Sequence, residues 1–88
     1  MVSVQPIDDK TFKVTVRGTT TTTYTVTVEP DYYQKLTGGR VRAETLVEKS
    51  FAFLLAREPN TSILRSFELP VICRYFPEYE TTIKKMLG

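Results

Sequence analysis

The side chains that could do chemistry are few. The 88-residue chain contains no histidine, which removes Ser-His-Asp and Cys-His arrangements, imidazole metal ligation and the commonest general base at neutral pH. Its one cysteine, Cys73, lies one turn from Leu69 and Phe76 on the apolar side of a predicted helix. A thiol placed there behaves as a small hydrophobe unless a cation activates it. Glu44 and Glu48 share one exposed helix face and Asp8-Asp9 falls in a loop, so no carboxylate occupies an apolar pocket that would shift its pKa toward acid-base work. The expectation is a protein without catalytic residues, metal or cofactor.

Binding chemistry has more to work with. Gly38-Gly39-Arg40-Val41-Arg42 places glycines and arginines before a helix start, where backbone amides and guanidinium groups can meet an anion. Lys35, Arg40 and Arg42 are the candidate anion-binding residues. The same glycines are what a tight connection between two helices would use, and the loop matches neither the phosphate-binding P-loop nor the dinucleotide fingerprint. Tyr32, Tyr33, Phe53, Tyr75 and Tyr79 are candidate protein-interface residues, because amphipathic rings in short segments suit interfaces. They equally suit sealing the edge of a small core.

The elements that position these groups follow from hydrophobic period. Residues 1–9 carry Pro6 and no sustained alternation, so they read as an irregular lead-in. Phe12, Val14 and Val16 alternate with Lys13, Thr15 and Arg17, and Tyr24, Val26 and Val28 alternate with Thr23, Thr25 and Thr27. Two half-buried strands joined by a reversal at Gly18 to Thr22 make an antiparallel hairpin over 10–28. The run of five threonines, 19 to 23, is expected to extend that ribbon, since branching at Cβ favours strands.

Pro30 ends the second strand and Asp31 can cap a helical turn through Leu36, which Gly38-Gly39 stops. Ala43 to Glu58 is the strongest helix: Leu46, Val47, Ser50, Phe51, Leu54 and Leu55 recur at three- and four-residue spacing, and Pro59 closes it. Phe53 widens its apolar arc, which implies burial on more than one side or a partner surface. Asn60, Thr61 or Ser62 can cap a short helix carrying Ile63, Leu64 and Phe67; Pro70 and Pro77 suit the first turns of two more. The expected core is Phe12, Val14, Val16, Tyr24, Val26, Val28, Leu46, Phe51, Leu54, Ile63, Leu64, Phe67, Ile72, Phe76 and Ile83.

The outward face of the hairpin is Lys13, Thr15, Arg17, Thr23, Thr25 and Thr27, a hydroxyl-rich strip with two cations and no acid. It could meet phosphates and base edges, or the threonines could simply be soluble strand formers. Thr25 to Asp31, the turn through Leu36, the glycines, and Ala43 to Leu54 resemble the ribbon-helix-helix DNA-binding family over residues 23–57. The resemblance implies pairing of strands between two subunits and reading of the major groove by Thr23, Thr25 and Thr27. Arg57 to Leu64 with Arg74 to Tyr79 also resembles a group of small bacterial proteins that have no assigned role.

Length and composition bound the rest. Eighty-eight residues suit one core, and 41% hydrophobic with 25% charged residues is ordinary globular usage. The longest apolar run, Phe51 to Ala56, is far short of the roughly 20 residues of a membrane span. A single cysteine leaves no internal disulfide, so a cytoplasmic setting is expected. The reading is an α+β protein of one domain, 1–88, in which an N-terminal two-stranded antiparallel β-hairpin packs on a bundle of three to four short helices over 31–87. It is expected to be a non-catalytic binding module acting on a protein partner or on itself as a homodimer, with nucleic acid binding through the hairpin as the alternative and no membrane partner.

Overall fold

A computed structural model describes residues 2–87 and shows an α+β fold around a four-stranded mixed sheet. In chain order the elements are β1 (Val2–Pro6), β2 (Thr11–Val16), β3 (Thr22–Thr27), α1 (Pro30–Thr37), α2 (Ala43–Leu55), β4 (Ser66–Glu68), α3 (Ile72–Tyr75) and α4 (Tyr79–Leu87). Two 3-10 turns, Asn60–Ser62 and Leu69–Val71, flank β4. The expected hairpin is therefore the β2–β3 half of a larger sheet with order β1-β2-β3-β4, in which β1 and β2 are antiparallel and β4 runs parallel to β3.

The alternation of apolar residues sets the two faces. Across the sheet, Val4, Val14 and Tyr24 form one inward row and Pro6, Phe12, Val26 and Phe67 another. The six inward residues expected of the hairpin, Phe12 to Val28, are all buried. At roughly 1.5–3 kcal/mol for each large apolar side chain taken out of water, this face decides register, because a one-residue slip would turn every one of them outward.

Two segments depart from expectation. Residues 2–6 are a strand and no irregular lead-in: Val2 and Val4 alternate with Ser3 and Gln5 over too few positions to show a period, and only pairing with β2 makes the strand. Ile63 to Phe67 is no helix. The chain leaves the turn at Asn60–Ser62 extended, and Thr25 N–H donates to Arg65 C=O at 2.8 Å, starting the β3–β4 ladder. Of the five threonines, only Thr22 and Thr23 lie in a strand; 19 to 21 form the reversal. Asp31 does not cap α1, whose first turn is set by Pro30, and α2 stops at Leu55 as the residues ahead of Pro59 leave the helix. Gly38 at φ 64° and Gly39 at φ 78° make the left-handed exit from α1 that other residues adopt at a cost.

Helix α2 is buried on two sides, which explains its wide apolar arc. Phe51 packs toward the sheet, 5.1 Å from Tyr24 and 6.1 Å from Phe67 between ring centroids. Phe53 faces the other way, edge-on to Phe76 at 5.8 Å and Tyr79 at 5.2 Å. Between these faces Ser50 donates to Leu46 C=O at 2.7 Å, so its oxygen must accept the Tyr79 hydroxyl proton at 2.6 Å. Leu36, Val47, Phe53, Leu69 and Tyr79 join the expected core, while Leu64 leaves it and is 47% exposed.

A second polar device ties the crossover to the sheet. Asn60 Nδ2 donates at 2.8 Å to both Thr20 C=O and Thr22 Oγ1. Tyr24 donates its hydroxyl proton to Asn60 C=O, so the 2.7 Å contact between Thr22 and Tyr24 must run from the threonine to the tyrosine. The result is a closed ring of donors, Asn60 to Thr22 to Tyr24 and back to Asn60, at a buried position where each bond strengthens the next. Among the described residues no buried side-chain polar atom lacks a partner.

Opening this ring strands polar groups in the core. Asn60→Ala and Tyr24→Phe should each lower unfolding free energy by about 1–3 kcal/mol. Urea denaturation should show a lower midpoint at unchanged slope, and the double variant should cost clearly less than the sum of the singles.

Candidate functional site

Three surfaces hold the residues that could act, and the fold distributes them differently from the sequence reading. The first is an apolar groove of about 140 Å³ between the end of α2, the extended segment before β4, and α3. Its walls include Leu54, Ile63, Leu64, Phe67, Tyr75 and Phe76, with Glu58 also among the lining residues. Leu64 at 47% and Tyr75 at 65% exposure place two large apolar side chains at a solvent-facing edge. The volume is below the roughly 300–1,000 Å³ of sites that enclose a small-molecule ligand, and it suits a single apolar side chain. Glu58 has no ion-pair or hydrogen-bonding side-chain partner among the described residues, whereas neighbouring Arg57 is held by the Phe53 ring at 3.6 Å and by Glu78 at 3.4 Å.

Of the five candidate interface residues, only Tyr75 presents its ring to this surface. Phe53 and Tyr79 are fully buried and belong to the core, because they fill the space between α2 and α4. Tyr32 and Tyr33 are half-buried with both hydroxyls engaged, Tyr33 donating to Val41 C=O. Leu64, assigned to the core by its apolar type, is the groove residue that sequence reasoning missed. The signal that could have found it is the Ile63-Leu64 pair in an extended segment, where one of two neighbours must face out.

The second surface is a polar cluster joining α1, α3 and α4. Glu80 accepts from Tyr32 at 2.9 Å and from the Cys73 thiol at 3.5 Å, and pairs with Lys35 at 3.2 Å. Burial acts to raise the Glu80 pKa, but the hydrogen bonds from Tyr32, Lys35 and Cys73 outweigh it and hold the carboxyl below its ordinary 4.5. Burial pushes the Cys73 thiol up, and Glu80 adds to this against the opposing Tyr32 hydrogen bond. Burial likewise raises the Tyr32 and Tyr79 hydroxyls, with Cys73 and Glu80 adding to the rise in both cases. Cys73 is thus half-buried beside an acid, the opposite of the cationic setting that makes a thiolate.

The candidate anion-binding residues do not converge. Lys35 is committed to Glu80, Arg42 makes a two-pronged contact with Glu44 at 3.0 Å, and Arg40 Nε donates to Thr37 C=O at 3.3 Å. Arg42 and Tyr33 instead share a shallow depression with Asp9. Asp8 beside it is spent locally: its carboxylate accepts from the backbone N–H of Lys10 and Thr11 at 2.9 Å, and these bonds hold its pKa below the ordinary value.

The third surface is the outer face of the sheet. Lys13, Thr15, Thr23, Thr25 and Thr27 lie there together, joined by Ser3, Gln5, Ser66 and Glu68 from the strands that the sequence reading did not see. Glu68, opposite Thr27, puts an acid on a face expected to have none. Arg17 follows β2 directly. Strand β3 has β2 along one edge and β4 beside Thr25, Val26 and Thr27 on the other, so it is an inner strand of the sheet.

No family model, curated protein or solved structure matches this chain. Among the described residues there is no cluster of three or more metal-ligating side chains, and no helix is long and apolar enough to cross a membrane.

Removing the charge of Glu80 should free the thiol. Glu80→Gln is expected to speed alkylation of Cys73 by iodoacetamide at mildly alkaline pH, as followed by mass spectrometry. The depressed Glu80 pKa contributes stability above the unfolded value that is lost as pH falls through the folded one. Wild type should therefore lose more stability than Glu80→Gln as pH drops below 4.5, by under about 1 kcal/mol for so accessible a group.

Proposed function

We propose that this chain is a small non-catalytic protein-binding module whose docking site is the groove edged by Leu64 and Tyr75. The observation that carries the reading is the exposure of these two large apolar side chains around a hollow too small for a metabolite, with an unpaired carboxylate, Glu58, among its lining residues. The occupant that fits is a protein segment presenting one large apolar side chain next to a lysine or arginine. The apolar group fills the hollow and the cation meets Glu58, which adds orientation more than affinity. The absence of histidine and the raised pKa of Cys73 support a binding role over catalysis.

Short peptides carrying Leu, Met or Phe beside Lys test this. In amide chemical-shift mapping they should perturb Leu64, Phe67 and Tyr75; Leu64→Ser or Tyr75→Ala should abolish the response and Glu58→Lys should weaken it. The exposed Leu64 and Tyr75 positions should tolerate substitution within about 0.5 kcal/mol of wild-type stability. Peptides that bind nowhere, or bind with these variants intact, would sink the proposal.

A second reading, nucleic acid binding, rests on the outer sheet face, which no helix covers and which gathers seven hydroxyl side chains, Ser3, Thr11, Thr15, Thr23, Thr25, Thr27 and Ser66, around Lys13. It requires retardation of duplex DNA at low salt that weakens steeply with added salt and on Lys13→Ala or Arg17→Ala. Glu68→Gln should strengthen it by removing the one acid from that face. Duplex that runs unretarded at low salt removes this reading.

A further inference from the structure

We propose that β1 is a self-association edge at which a second copy of this chain pairs antiparallel through its own β1, making a continuous eight-stranded sheet from two four-stranded ones. The two outer strands of the sheet are unlike. β4 is three residues long, is preceded by Arg65, contains Glu68 and is followed closely by Pro70, the charges, shortness and proline by which natural edges are blunted. β1 is five residues long, and Val2, Ser3, Val4, Gln5 and Pro6 carry no charge.

The direction of its backbone groups follows from the ladder. Ile7 N–H donates to Thr11 C=O at 2.8 Å at the β1–β2 turn, and pairing alternates from there, so Gln5 and Ser3 exchange hydrogen bonds with β2. The neighbouring ladders have the matching phase: Val28 N–H reaches Lys10 C=O at 2.7 Å, and Thr25 N–H reaches Arg65 C=O at 2.8 Å. Val2 and Val4 therefore turn their N–H and C=O groups away from β2, and Pro6 turns a C=O. Among the described residues no group takes them.

These free groups are self-complementary about Val4. With a twofold axis there, Val4 N–H meets Val4 C=O of the partner in both directions, and Val2 N–H meets the C=O of Pro6. Pro6 has no N–H, so each Val2–Pro6 pair forms this one hydrogen bond in place of two. The inward side chains fit as well. Val2 and Val4 are only half-buried, packed against a core that ends at this edge, and the partner's pair would continue that core past it. Ser3 and Gln5, both exposed, would stand opposite each other across the axis on the outer face.

Sedimentation velocity over a concentration series tests the pairing. Wild type should dimerise reversibly. Val4→Pro removes only a donor that faces away from β2, and should weaken dimerisation about thirtyfold, equivalent to about 2 kcal/mol for two lost hydrogen bonds. Should Val4→Pro disturb folding, two variants at exposed positions decide the matter. Ser3→Lys with Gln5→Lys sets like charges opposite each other and should give monomer, whereas Ser3→Lys with Gln5→Glu sets opposite charges there and should keep the dimer. Leu64→Ser, in the groove, should leave it unchanged. A wild type that stays monomeric at every concentration, or a dimer indifferent to both charge variants, would overturn the proposal.

Discussion

The return of the chain to the central strand is the constraint on which the rest of this structure depends. After two helices the backbone must come back beside β3, and it does so at Asn60, whose side chain binds Thr20 and Thr22 and whose carbonyl receives the Tyr24 hydroxyl. Because the ring closes on itself with every proton assigned, it anchors the crossover at one point of the sheet, just before the Thr25 to Arg65 hydrogen bond begins the parallel ladder. A parallel pair is otherwise slow and entropically costly to form, since the loop between its strands must close before any contact is gained.

That closure creates the surfaces that can act. Once β4 lies beside β3, Ile63 points into the core and Leu64 out of it, and the groove opens between this segment, the end of α2 and α3. The same step occupies the second edge of β3. The sheet is left with one short, charged edge at β4 and one longer, uncharged edge at β1, and β3, the strand that a ribbon-helix-helix dimer would pair between subunits, lies inside the sheet.

Polar side chains do structural work both in the interior and at the surface. Ser50 and Tyr79 satisfy each other between α2 and α4, and Tyr32, Lys35 and Cys73 surround Glu80 where α1, α3 and α4 meet. In both places the geometry lowers reactivity: hydroxyls and thiol are held in their protonated forms, as donors. A buried polar group left unpaired costs more than a paired one contributes, which accounts for how completely these groups are matched.

Period-2 alternation in Phe12 to Val16 and Tyr24 to Val28, and the helical spacing from Leu46 to Leu54, were sufficient to place the β2–β3 hairpin, its inner face and α2, because long amphipathic segments state their buried side directly. Glycines and prolines likewise marked the ends of α1 and α2. Five residues of β1 and three of β4 carry no period that could be read, and each is a strand only because a neighbour offers it hydrogen bonds. The candidate site was legible to the same extent. Tyr75 and the outer threonines stood out by type and alternation, whereas the burial of Phe53 and Tyr79, the exposure of Leu64 and the pairing of Lys35 and Arg42 with acids depend on contacts between residues far apart in the chain or on local rotamers. Residue types and spacing determined which side chains were available and that catalysis lacked its usual groups. Only the tertiary structure decided which of them meet and which remain open to a partner, since burial belongs to the assembled sheet and helices and to no segment alone.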